Sequence, residues 1–201
     1  MNITPKSFVE QIIKEDKEDK EGNWNVEDTR YLINQHYANH KDWKGLEDFY
    51  IEALKLLLKP KDLEKVLYYD FKEYKEALLI HLKESNDLVK NDDTLKVIYY
   101  EYEMSSYIGS FFLCNRYSIE AWDDFPSDFE MDNIVDTPSL EDIFFDYYEE
   151  FRPLYENYTI EIIRRYFDAK LTSLLGQVSS KVDLVVPLTM SEHDFQVLHY
   201  S

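Results

Sequence analysis

A single cysteine, Cys114, in 201 residues leaves no internal disulfide to build a fold on. Four glycines and six prolines are too few to punctuate an all-β chain at every turn, so long uninterrupted elements are favoured. No apolar stretch approaches the roughly 18 residues that suggest a membrane span. The opening MNITPKSFVEQIIKEDKEDK has no basic region followed by an apolar run, so a signal peptide is not expected. These absences point to a reducing cytoplasm. Bases are scarce as well: 22 Lys and Arg against 41 Asp and Glu give a formal charge of −19, which opposes direct contact with nucleic-acid backbones or anionic membranes.

Apolar residues are plentiful. They make up 44% of the chain and aromatics 16%, with 17 Tyr and 12 Phe, a composition outside the disordered range. A chain of this length typically buries around 70% of its unfolded surface, and one domain spanning 1–201 is expected. The expected fold class is mainly α: a bundle-like single domain of about seven helices, with a short C-terminal strand as an option.

Thr4 and Pro5 suit the cap and first position of a helix carrying Phe8, Val9, Ile12 and Ile13. Residues 14–24 read as a charged linker or solvated helix end. Asn25 begins a second helix to about Asn39, and Asp42 a third with Leu46, Phe49, Tyr50, Ala53 and Leu57 on one face. After Pro60 the stripe Leu63, Leu67, Phe71, Tyr74, Leu78, Leu82 predicts one helix to about Glu84, followed by a turn over 86–93. Leu95, Ile98, Tyr99, Tyr102, Ser106, Gly109 and Leu113 continue the period and predict a central helix.

Residues 116–138 lose that period and read as an ordered, acidic and aromatic loop. Thr137 and Pro138 open a helix through Leu140, Ile143, Phe144, Tyr147 and Phe151, and Pro153 starts the last long one, ending near Leu175 before Gly176. That last helix carries two apolar stripes, Ile160-Ile163-Phe167-Leu171-Leu174 and Tyr155-Tyr158-Ile162-Tyr166. Val182, Leu184, Val185 and Val186 fit a short strand before Pro187, and Ser191 a cap for a final turn with Phe195 and Leu198.

Charge is unevenly distributed. Residues 1–100 hold 21 acids and 16 bases, a net of −5, whereas residues 101–201 hold 20 acids and 6 bases, a net of −14. Within 120–156, 13 acids face one base, Arg152. Aromatics stand among them, and the candidate partner-binding residues are Trp122, Asp123, Asp124, Phe125, Asp128, Phe129, Asp142, Phe145, Asp146, Tyr148 and Glu149. Carboxylates speed encounter with a basic surface, and desolvated aromatics supply most of the affinity. The same pattern also fits a solvated face over an aromatic core.

No catalytic motif is found, and neither a cofactor nor a metal is expected. The acids at Asp123, Asp124, Asp128, Glu130 and Asp132 lack the alternation and central glycine of a calcium loop. His36 and His40 have zinc-ligand spacing on a helix, but QHYANH has no glutamate beside His36 as zinc proteases require. His81 fits a core edge, and Cys114, after Phe111-Phe112-Leu113, fits an inert buried thiol. The sequence therefore points to an acidic binding or inhibitor protein, not an enzyme, that docks on a basic protein. An immunity protein neutralising a bacterial toxin or nuclease is one form. The alternative is a structural or adaptor protein that assembles through apolar surface, with acidity serving solubility only.

Overall fold

The computed structural model describes residues 3–18, 26–103, 108–115, 134–136, 149–192 and 198–200. It is mostly helical, and the chain packs as two compact units, residues 1–70 with 142–173 and residues 71–141 with 174–201.

The first unit contains α1 (Pro5–Glu18), α2 (Val26–Asn39), α3 (Trp43–Lys55), α4 (Pro60–Tyr68) and the start of α6 (Asn157–Ser179). Local hydrogen bonds set several of its boundaries. The Thr4 hydroxyl accepts from the Ser7 N–H at 3.1 Å and the Ser7 hydroxyl from the Thr4 N–H at 2.9 Å, a reciprocal cap that uses Ser where Glu is more usual. The carboxylate of Asp42 accepts from the Gly45 N–H at 2.9 Å and starts α3. The preceding helix stops because Lys41 turns to φ 53°. The Lys41 N–H then reaches the Ala38 carbonyl at 3.0 Å and the Asp42 N–H the Tyr37 carbonyl at 3.0 Å, a Schellman closure. Between these ends Phe8, Phe49 and Tyr50 pack ring against ring, with centroids 5.4–5.8 Å apart.

The second unit contains α5 (Lys72–Lys90), the last turns of α6 and a five-stranded sheet. Its strands are β1 (Val97–Glu103), β2 (Ile108–Cys114), β3 (Ile134–Asp136), β4 (Leu188–Glu192) and β5 (Leu198–Tyr200). The order is β3-β2-β1-β4-β5; β1 pairs parallel with β4, and every other neighbour is antiparallel. Helix α5 packs against β2 and β3 and directs Tyr74, Leu78 and Leu82 inward. Asn86 fastens it to the segment before β4, donating to the Asp183 carbonyl at 3.0 Å and accepting from the Val185 N–H at 3.1 Å.

The central helix expected over 95–113 is instead the β1–β2 hairpin, with Tyr100 opposite Phe111. Val97 to Tyr100 are four consecutive buried residues, and such a run satisfies helical and strand spacing equally. Its β-branched and aromatic side chains suit a strand enclosed on both faces. The single helix expected after Pro60 is two: Tyr69 is extended at φ −61°, ψ 125°, and α5 begins after Phe71. Of the expected stripe, Leu67 is exposed while Tyr74, Leu78 and Leu82 are buried in the second unit; α4 instead buries Asp62 and Val66 in the first, so each helix serves its own core. Residues expected to turn over 86–93 prolong α5 to Lys90.

Pro153 lies in a turn before α6, which starts at Asn157 and passes through buried Gly176 to Ser179. The expected strand at 182–186 is a bend; the strand lies just after Pro187, and Ser191, expected to cap a turn, is part of it. Of the expected charged linker, residues 14–18 belong to α1, and 19–24 lie outside the described residues. Most of the loop expected over 116–138 lies outside them too, as does the helix expected from Thr137 up to residue 148; residues 134–136 form β3.

Candidate functional site

Glu149 is the one candidate partner-binding residue among the described residues. It is exposed, and residues 149–151 are helical. Trp122, Asp123, Asp124, Phe125, Asp128, Phe129, Asp142, Phe145, Asp146 and Tyr148 lie outside them. The turn after Glu149 is anchored from beneath. Phe151 is fully buried and its ring lies 6.0 Å from that of Tyr155. The Tyr155 hydroxyl donates to the Asp62 carboxylate on α4 at 2.5 Å and accepts from the Lys59 N–H at 3.4 Å. Burial, then the Asp62 bond, raises the Tyr155 pKa, so the phenol stays a neutral donor. Glu150 forms an exposed ion pair with Lys65, whose pKa rises through that hydrogen bond. The C-terminal end of the acidic segment is thus held by an apolar anchor while Glu149, Glu150 and Glu156 stay at the surface.

Three of the six bases in residues 101–201 are engaged inside the first unit. Arg165 is 2% exposed and bonds Asp168 at 3.3 Å and Glu161; Asp168, fully buried, also receives Arg30 of α2 at 3.0 Å. Arg164 lies 3.8 Å from Glu161. Lys170 reaches Glu47 of α3 at 2.7 Å, and the second Glu47 oxygen accepts from the Ser173 hydroxyl at 2.5 Å. Glu161, Arg165, Asp168 and Thr172 follow one another at steps of four, three and four, one strip of α6 lying between its two apolar stripes. Sequence reading passed over this strip because charged side chains usually face water. The ions of the network are matched to one another, which suits holding α2 against α6.

In the second unit the Tyr74 and Tyr100 hydroxyls meet inside the protein, Tyr100 lies 4.9 Å from Phe111, and the Tyr99 hydroxyl donates to Glu101 at 2.7 Å. Cys114 is buried beside Val97 and Tyr99, and its thiol is pushed up to about 12 by burial and then by Glu101. That shift disfavours the thiolate, the nucleophilic form, at ordinary pH. His81 sits half-buried with its Nδ1 3.1 Å from Glu84. Among the described residues no three His, Cys, Asp or Glu side chains gather as metal ligands, and no helix is long and apolar enough to cross a membrane. No family model, curated protein or solved structure matches this chain.

Proposed function

We propose that the protein is an acidic binding or inhibitor protein whose 120–156 segment docks on a basic surface of another protein. The observation that carries this reading is the segment's imbalance, 13 acids to one base, interleaved with Trp122, Phe125, Phe129, Phe145 and Tyr148. The ion pairs of α6 support it, because Arg164, Arg165 and Lys170 are committed to Glu161, Asp168 and Glu47. Carboxylates at this density steer a cationic partner and raise its association rate, and aromatic anchors then slow its departure. A nucleic-acid-cutting toxin is one partner of the required chemistry, since its substrate groove is positive, and an immunity protein would cover such a groove.

Capture from native extract on the immobilised full-length chain, eluted by a salt gradient, tests the reading. One basic protein released by moderate salt supports it. Recovery of the chain itself alone, unaffected by salt, favours the alternative of a structural protein that self-assembles through apolar surface, for which exposed Leu32, Leu56, Tyr68 and Leu154 are available.

A further inference from the structure

We propose that His36 and His40 form a two-imidazole binding site for a divalent late transition metal of the copper, nickel and zinc group. The two rings stand one helical turn apart at the end of α2, with centroids 4.6 Å apart and planes inclined by 47°. Their backbone is fixed by the Schellman closure: the Asp42 N–H holds the Tyr37 carbonyl and the Lys41 N–H the Ala38 carbonyl, each at 3.0 Å. The His40 ring is fixed again, because its Nδ1 lies 2.7 Å from the His36 carbonyl oxygen. A carbonyl can only accept, so Nδ1 carries the proton and Nε2 keeps its lone pair for an ion. Metal-binding histidines elsewhere are oriented by the same kind of backbone bond.

The spacing fits one shared ion. A metal about 2.0–2.1 Å from each nitrogen lies about 3.2 Å from each ring centroid, and a 4.6 Å separation then corresponds to an N–metal–N angle of about 90°. That is the cis angle of tetragonal copper(II) or nickel(II) coordination, with water filling the remaining positions. His36 is partly open and His40 exposed, so an ion can reach both. Among the described residues no third His, Cys, Asp or Glu joins them, which makes this an open, exchangeable site.

Titration of the full-length chain with copper(II) and nickel(II), followed by calorimetry and, for copper, by electron paramagnetic resonance, tests the assignment. One ion per chain is expected, with a copper spectrum split by two imidazole nitrogens. His36→Ala or His40→Ala should each remove one nitrogen and weaken binding by about tenfold or more, as loss of a chelating partner requires. Nickel should also raise the urea midpoint of the native chain but not of the H36A/H40A double variant, whose circular dichroism confirms folding. Binding that survives in the folded double variant, or no binding by the native chain, overturns the proposal.

Discussion

The two units bury polar chemistry in different forms. Among the described residues the first encloses ions, with two guanidinium groups around Asp168, beside neutral pairs such as Tyr50 and Asn34, while the second encloses neutral groups: the paired phenols of Tyr74 and Tyr100, the Cys114 thiol and the Asn86 amide. A buried ion loses its hydration and must recover that energy from partners in fixed geometry, whereas a buried hydroxyl or amide needs only one or two hydrogen bonds. The first unit should therefore tolerate loss of a partner badly and the second should tolerate it well. In the second, alkali should add a cost by forcing charge onto the Cys114 thiol, which burial holds neutral.

The largest expected effect breaks the ion network. Asp168→Ala leaves two buried guanidinium groups without their shared carboxylate and should cost about 3–5 kcal/mol in urea unfolding. Replacing Arg30, Arg165 and Asp168 together by apolar residues should cost less than Asp168→Ala alone, because no guanidinium is then stranded and Glu161 keeps Arg164 beside it. In the second unit the Cys114 thiol, held up to about 12, should react with a disulfide reagent at pH 8 about a thousandfold more slowly than in the urea-unfolded chain, on thiolate fraction alone. Its folded pKa lies above the unfolded value, so its contribution to stability is complete below about pH 9 and is lost as pH rises toward 12. Cys114→Ala should remove that alkaline component from the pH dependence of unfolding.

Tyr100→Phe deletes one hydroxyl of the buried phenol pair and should cost about 1 kcal/mol by denaturant midpoint, well below Asp168→Ala. The smallest effects calibrate a local bond against both. Asp42→Ala should cost about 1 kcal/mol through loss of the α3 cap. Gly45→Ala places a Cβ 2.2 Å from an Asp42 carboxylate oxygen and displaces the same cap, but it gains about 1 kcal/mol of helix propensity, so its net effect should be near zero.

What could be read in advance follows the range of the force involved. The starts of α1 and α3 were legible because Thr4, Pro5 and Asp42 act on backbone groups within three residues. The hairpin was not, because Val97 to Tyr100 are apolar throughout and periodicity has nothing to discriminate. The break at Tyr69 to Phe71 carries neither glycine nor proline; it exists because the residues on either side belong to different cores. The burial of Cys114 was legible from its apolar neighbours alone. The burial of the ionic strip of α6 was not legible, since Asp168 is shared between Arg165 beside it and Arg30, 138 positions away. Of the candidate binding segment, sequence supplied the charge and the aromatics, and the structure adds the Phe151 and Tyr155 anchor at its end.

The central claim is that the acidic and aromatic residues recognise a partner and do not support the core. It is tested most directly by Phe145→Ala combined with Asp142→Asn and Asp146→Asn, measured for both urea unfolding and salt-eluted capture. An unchanged unfolding midpoint with loss of the captured basic protein is the predicted result. A collapsed midpoint, or capture that persists in the folded variant, would contradict it.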